Sequence, residues 1–164
     1  MRSITIVACL LILIPRVWSQ DKADNQAAAD VVKSLFRGMQ LGDSAMVHSA
    51  FTNGATMATI YRDNENNAVL AREPSINNFL KAVGTPHPDP WNEEIWDVKV
   101  SIDGDFAQVW CSYAFYSGNR FSHCGVDAFH LFRGKNGWKI FHIADTRGKD
   151  NCTIPAEIRR KHQP

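Results

Sequence analysis

Net charge is nearly absent from this sequence. Eighteen lysines and arginines stand against 17 aspartates and glutamates, a formal charge of +1 over 164 residues. Such a balance exerts no general pull on nucleic acid or an anionic membrane, so neither is expected as a partner. A long apolar run is also missing. The stretch from Ile4 to Ile14 holds eleven residues, whereas a bilayer span takes about 20. No Cys-x-x-Cys occurs, which excludes a zinc ribbon or a thioredoxin-type site. There is no internal repeat and no low-complexity segment. With 45% apolar and 21% charged residues, the composition is that of one ordinary globular domain.

The short apolar run is read as a secretory leader covering residues 1–19. Arg2 supplies the positive start, Pro15 and Arg16 break the run, and Val17-Trp18-Ser19 ends in a small residue before Gln20. The expected location is secreted or periplasmic, with no membrane contact after cleavage. Removal of the leader leaves 16 basic residues against 17 acidic ones. It also leaves Cys111, Cys124 and Cys152, enough for one bridge in an oxidising compartment with one thiol over. Cys111–Cys124 and Cys124–Cys152 are both open as pairings.

Asp24 to Leu41 is expected to be a long helix. Ala28, Val31, Val32, Leu35, Phe36 and Met39 recur at three- and four-residue spacing, and Gly42 stops the helix. Asp43 or Ser44 caps a short second helix to about Ser49. Ala55 to Tyr61 and Ala68 to Arg72 read as a hairpin, and Pro74 to Gly84 as a third helix. Three prolines between Thr85 and Pro90 make a stiff loop. The period then changes to two. Strands are expected over Trp91 to Ile102, Phe106 to Tyr116, Phe121 to Phe132 and Gly137 to Thr146, with turns at Asp103-Gly104, near Gly118, and at Gly134–Gly137. Residues 20–147 form the domain. Residues 148–164 are expected to be a C-terminal tail without core pattern, its Arg159-Arg160-Lys161 cluster solvated. Helices segregated from four late strands argue an α+β fold, with helices on one face of a curved antiparallel sheet.

At four places the chain resembles the nuclear-transport-factor-2-like superfamily, which includes ketosteroid isomerase, scytalone dehydratase and polyketide cyclases. These are Leu35 to Asp43, Trp91-Asn92-Glu93, Ser122-His123-Cys124-Gly125-Val126-Asp127, and Gly137-Trp138-Lys139-Ile140 running to Asp145-Thr146-Arg147. The group it is most similar to is the one labelled "putative lumazine-binding". The resemblance covers roughly residues 24–147. It implies a sheet wrapped around helices as a cone-shaped half-barrel, an apolar pocket in the cone, and a homodimer. In ketosteroid isomerase a carboxylate base sits on the strand after the second helix. The corresponding strand here, Ala55 to Tyr61, has no Asp or Glu.

The polar groups of Ser122 to Arg147 are the candidate site, because a core needs none of them. Alternation places His123 and Asp127 on one side of their strand and His130 on the other. A two-residue turn at Ser117-Gly118 puts Cys111 opposite Cys124 and Trp110 on the Asp127 side; a four-residue turn instead pairs Tyr116 with Phe121 and keeps the same faces. A four-residue turn at Gly134–Gly137 puts Ala144 opposite Asp127, with His142 and Thr146 as diagonal neighbours. A one-residue slip replaces these by Phe141, Ile143 and Asp145. The expected ligand-binding set is Trp110, His123, Asp127, His142 and Thr146, with Asp127 and His142 as the acid–base pair of any reaction. Asp145 and Arg147 alternate onto one side as an ion pair, or Arg147 meets an anionic group at the pocket mouth. No metal and no cofactor is implied, since the set lacks three convergent ligands. The expected function is binding of a small, partly apolar molecule. The alternatives are a cyclase, dehydratase or isomerase using Asp127 and His142, and a dimerisation module with a filled core. Both faces of the late strands are apolar, so a homodimer through the sheet is expected.

Overall fold

The computed structural model describes residues 17–163. Residues 1–16, which hold almost all of the expected leader, lie outside them. The first helix, α1, runs Val17–Leu41 and so begins before the expected Asp24. Its face of Ala28, Val32, Leu35 and Met39 is buried, as the spacing requires. Gly42, at φ 66°, turns the chain. Asp43 then caps α2 (Ser44–Ser49), its Oδ1 accepting from the Met46 N–H at 2.9 Å. The remaining elements are β1 (Phe51–Arg62), β2 (Ala68–Glu73), α3 (Asn77–Gly84), β3 (Trp91–Asp103), β4 (Phe106–Ser117), β5 (Arg120–Gly134), β6 (Gly137–Arg147) and α4 (Ala156–Lys161).

The fold is α+β. The six strands form one open curved sheet in the order β2-β1-β6-β5-β4-β3, with α1, α2 and α3 against its inner face. One pairing departs from the expected antiparallel sheet: β1 runs parallel to β6, a pairing made possible by the long connection through α3 and four strands between them. The core lies between the helices and the inner face. Val32 and Leu35 there meet Val109, Phe129, Leu131, Ile140 and Ile143.

Four irregularities interrupt the ladders, one of them in the β1–β6 pairing between Phe51 and Thr56. Asp97 and Val98 bulge from β3, with Asp97 at φ 51°. Ser122 is the extra residue of β5, since Tyr116 pairs with Phe121 while Phe115 pairs with His123. Phe141 is the extra residue of β6, since Leu131 pairs with Ile140 while His130 pairs with His142. Each bulge moves every later side chain of its strand to the opposite face relative to its partner.

The C-terminal residues carry more structure than the expected tail. Ile154 and Ile158 are buried in a second small cluster with Ala114 and Tyr116 on the outer face of the sheet, beside Trp96. His162 stacks on Tyr116, with ring centroids 3.8 Å apart, and both His162 and Lys161 reach Glu94. Cys124 is bonded to Cys152 and Cys111 is the free thiol. The alternative Cys111–Cys124 bridge is not formed, because the Ser122 bulge places Cys111 opposite Asp127. Sequence periodicity missed α4 because it is six residues long, too short to show a repeat. Among the described residues no helix is long and apolar enough to cross a membrane.

Closing a loop of 28 residues restricts the unfolded chain, a contribution of about 3 kcal/mol. Cys152→Ser is therefore expected to lower the unfolding free energy by about 2–4 kcal/mol in urea titrations. Cys124→Ser should match it, and the double substitution should add little further.

Candidate functional site

The inner face of the sheet and the helices above it enclose a cavity of about 260 Å³. Leu35, Phe36 and Met39 of α1 and Phe79 of α3 form one wall; Trp91, Phe115, Phe129, Met57 and Ile143 form most of the other. Five ionisable side chains break this apolar lining: Glu93, His123, Asp127, Asp145 and Arg147.

Strand pairing explains how they meet. Glu93 of β3, Phe115 of β4 and His123 of β5 lie in one row across the sheet. Cys111 of β4, Asp127 of β5, Asp145 of β6 and Thr59 of β1 lie in another. Asp127 and Asp145 are thus direct cross-strand neighbours, an arrangement that disfavours two charges. Asp145 is the satisfied partner. Its carboxylate accepts from Thr59 Oγ1, from the Tyr113 hydroxyl at 3.3 Å, and from the Arg147 guanidinium at 3.3 Å.

Asp127 is different. It is 4% exposed, and its Oδ2 has no hydrogen-bond partner among the described residues. Burial, with Glu93 and Asp145 adding like charge, holds its carboxyl well above the usual range and so favours the neutral acid. Burial also lifts Glu93, to about 8, with Asp145 adding to the shift. The His123 ring stacks on Phe115 at 5.1 Å. Burial and the nearby Arg147 charge lower it to about 4, leaving a neutral imidazole. The Tyr113 hydroxyl and the Cys111 thiol are pushed up by burial first and by these carboxyls second, so both keep their protons. Burial is the largest single effect on Arg147 and works against its charge, but the charges and hydrogen bonds of Asp145 and Tyr113 together raise it.

The end of β6 is held by a close backbone crossing. A Cβ at Gly125 would stand 1.8 Å from the Thr146 carbonyl oxygen, so only glycine fits. The same carbonyl accepts from Tyr113 at 3.0 Å, and Thr146 Oγ1 accepts from the Val126 N–H at 3.0 Å. These contacts fix Asp145 and Arg147 on either side of Thr146.

Of the five expected ligand-binding residues, the structure brings Asp127 and His123 to the cavity. Trp110, His142 and Thr146 do not line it. Trp110 is 43% exposed on the outer face, opposite Ala128, because the Ser122 bulge reverses the expected side. His142 lies opposite His130 and its Nδ1 bonds Thr56 Oγ1 at 2.8 Å, because the Phe141 bulge reverses β6. The Gly134–Gly137 turn has the expected register; the slip enters at Phe141, four residues after the turn. The expected Asp127–His142 pair is therefore not formed. Asp145 and Arg147 do pair and face the cavity. Sequence reasoning missed Glu93 and Tyr113 as site residues. Glu93 alternates with Trp91 and Ile95, so its face was legible, but nothing in one strand shows that the cavity opens there.

The family model described as "Putative lumazine-binding" matches residues 23–143. The chain belongs to this family, within the nuclear-transport-factor-2-like superfamily. Solved structures share the fold at low identity. A nuclear-transport-factor-2-like protein of unknown function from Shewanella baltica is 20% identical, with 84% of this chain and 99% of that one covered and a TM-score of 0.58. One with a cystatin-like fold from Novosphingobium aromaticivorans is 11% identical, covering 95% and 99%, at 0.62. A "putative scytalone dehydratase" from the same organism is 10% identical, covering 85% and 94%, at 0.64. A search of the curated proteins returns no match. For a lumazine-binding family member, then, the fold is shared while the site must be argued from its own residues.

Two acids held neutral by burial bind protons in the folded state that the unfolded chain has released. Stability must then fall as pH rises above the ordinary carboxyl range. His123 acts oppositely, since its lowered value costs stability as pH falls from about 6.5 towards about 4. Between pH 6.5 and 8 the carboxyls act without it. Wild-type unfolding free energy is expected to fall there by up to about 1.4 kcal/mol per pH unit from Glu93, with Asp127 acting in the same direction. Glu93→Gln should flatten the slope and raise stability at pH 8. A flat wild-type profile in urea titrations would count against the buried acids. Gly125→Ala is expected to cost about 3 kcal/mol or more, with no gain from refilling the space.

Proposed function

We propose that this chain binds a small, partly apolar molecule in the cavity. One observation carries the reading: an apolar space large enough for a small ring system, with the unpartnered Asp127 Oδ2 buried at its wall. Native structures leave few buried polar groups without a partner, and an orphan beside a cavity is where a ligand atom belongs. The reading of a filled dimerisation module fits less well, since Phe129 and Met57 line the space without closing it. An acid–base reaction through Asp127 and His142 is not proposed, because the two lie on opposite faces of the sheet.

We also infer export and a homodimer. Export rests on the leader-like residues 1–19. The dimer rests on the outer face, where Phe106, Trp110, Phe132 and Phe141 are exposed together around His130 and His142. Helix α4 covers only the part of that face around Ala114 and Tyr116, which leaves the aromatic group open to a second copy.

Native mass spectrometry of the purified mature chain tests the binding reading. A retained small molecule is expected, released by Phe129→Trp, which fills the cavity. Absence of any adduct, together with a metabolite panel that shifts no melting temperature, would end it. Light scattering at micromolar concentration tests the dimer: a dimer is expected, and Trp110→Lys should yield monomer.

A further inference from the structure

We propose that the ligand of this cavity is an organic cation, an ammonium or amidinium group on a small ring or chain, seated at Asp127 and Glu93. The inference rests on the binding reading above and names the class of molecule. Three carboxyl groups line the cavity against one guanidinium, that of Arg147. Arg147 is half-exposed and already paired with Asp145, and Asp145 has Thr59 and Tyr113 besides. Asp127 and Glu93 form no ion pair among the described residues, the Arg147 charge only partly offsetting the burial that raises both, and the buried Oδ2 of Asp127 has no hydrogen-bond partner.

Every other ionisable group facing them has been assigned. His123 on β5 is a neutral imidazole. The Cys111 thiol and the Tyr113 hydroxyl on β4 keep their protons. None of them supplies positive charge. A bare metal ion does not answer the need, since no three metal-ligating side chains converge among the described residues. An organic cation does, because its N–H groups reach separated carboxyls while its body fills the apolar space. An anion would find the one guanidinium already paired with Asp145. A neutral ligand would leave both carboxyls protonated and gain only ordinary hydrogen bonds.

Docking of the cation has a defined proton balance. As the ammonium approaches, an acid O–H gives its proton to the buffer, and a charge-assisted N–H···O⁻ bond takes its place. Binding therefore releases protons, and affinity rises with pH until the amine itself loses its charge.

Calorimetry of the mature chain with benzylamine, benzyl alcohol and benzoate decides it, since the three differ in charge far more than in size. Benzylamine is expected to bind about tenfold or more tighter than benzyl alcohol, as a charge-assisted bond against a neutral one requires. Its heat should vary with buffer ionisation enthalpy by the release of a proton at pH 7. Asp127→Asn and Glu93→Gln should each weaken benzylamine about tenfold more than they weaken benzyl alcohol, with circular dichroism showing both folded. Equal binding of amine and alcohol, preference for benzoate, binding without proton release, or no binding of any probe would each overturn the inference. The binding reading is tested separately: a neutral or anionic molecule retained in native mass spectra would sustain it while ending the cationic assignment.

Discussion

Everything in this site depends on a backbone constraint, the alternation of side chains along a paired strand. A ladder with no extra residue would put Cys111, Trp110 and His142 on the faces that simple counting gives. One additional residue at Ser122 and one at Phe141 reverse those faces for the rest of each pairing. The consequences are chemical. Asp127 comes to lie between Cys111 and Asp145 instead of beside histidine, and the two histidines go to the outer face. The cavity becomes acidic, and the outer face aromatic and basic.

Burial then sets the charge state of what the bulges have assembled. The ordered Asp145, with three donors, keeps its place as a carboxylate partner of Arg147. Asp127, a strand away, has no such support and stays a neutral acid. Such a group weakens the folded state, yet the same desolvation makes it responsive to a bound partner, because any charge brought into the cavity is poorly screened. Gly125 belongs to the same device: by admitting the Thr146 carbonyl it fixes the strand end that carries Asp145 and Arg147.

The C-terminal residues act on the other side of the sheet. The Cys124–Cys152 bond and the His162–Tyr116 stack hold α4 over the outer end of β3 and β4. Through Glu94 this strap grips the residue next to Glu93, so one strand carries an anchor on its outer face and an acid on its inner face. The exposed aromatic group is what the strap leaves uncovered.

The sequence by itself determined the order of the elements from α1 to β6, the buried face of α1, a cap at Asp43 or Ser44, the register at the Gly134–Gly137 turn and the shared side of His123 and Asp127. Each is a local matter of period, cap or turn, written in residues a few positions apart. Only the tertiary structure decided the partners of Asp127, the parallel β1–β6 pairing, the Cys124–Cys152 bond and the part played by Glu93. A bulge leaves no local signature at Ser122 or Phe141, since its stability comes from the packing on both faces of the neighbouring strands. Glu93 reads as an ordinary strand-entry acid until the helices close the cavity over it. Its neutral form at physiological pH is a property of the space around it, which no window of residues contains.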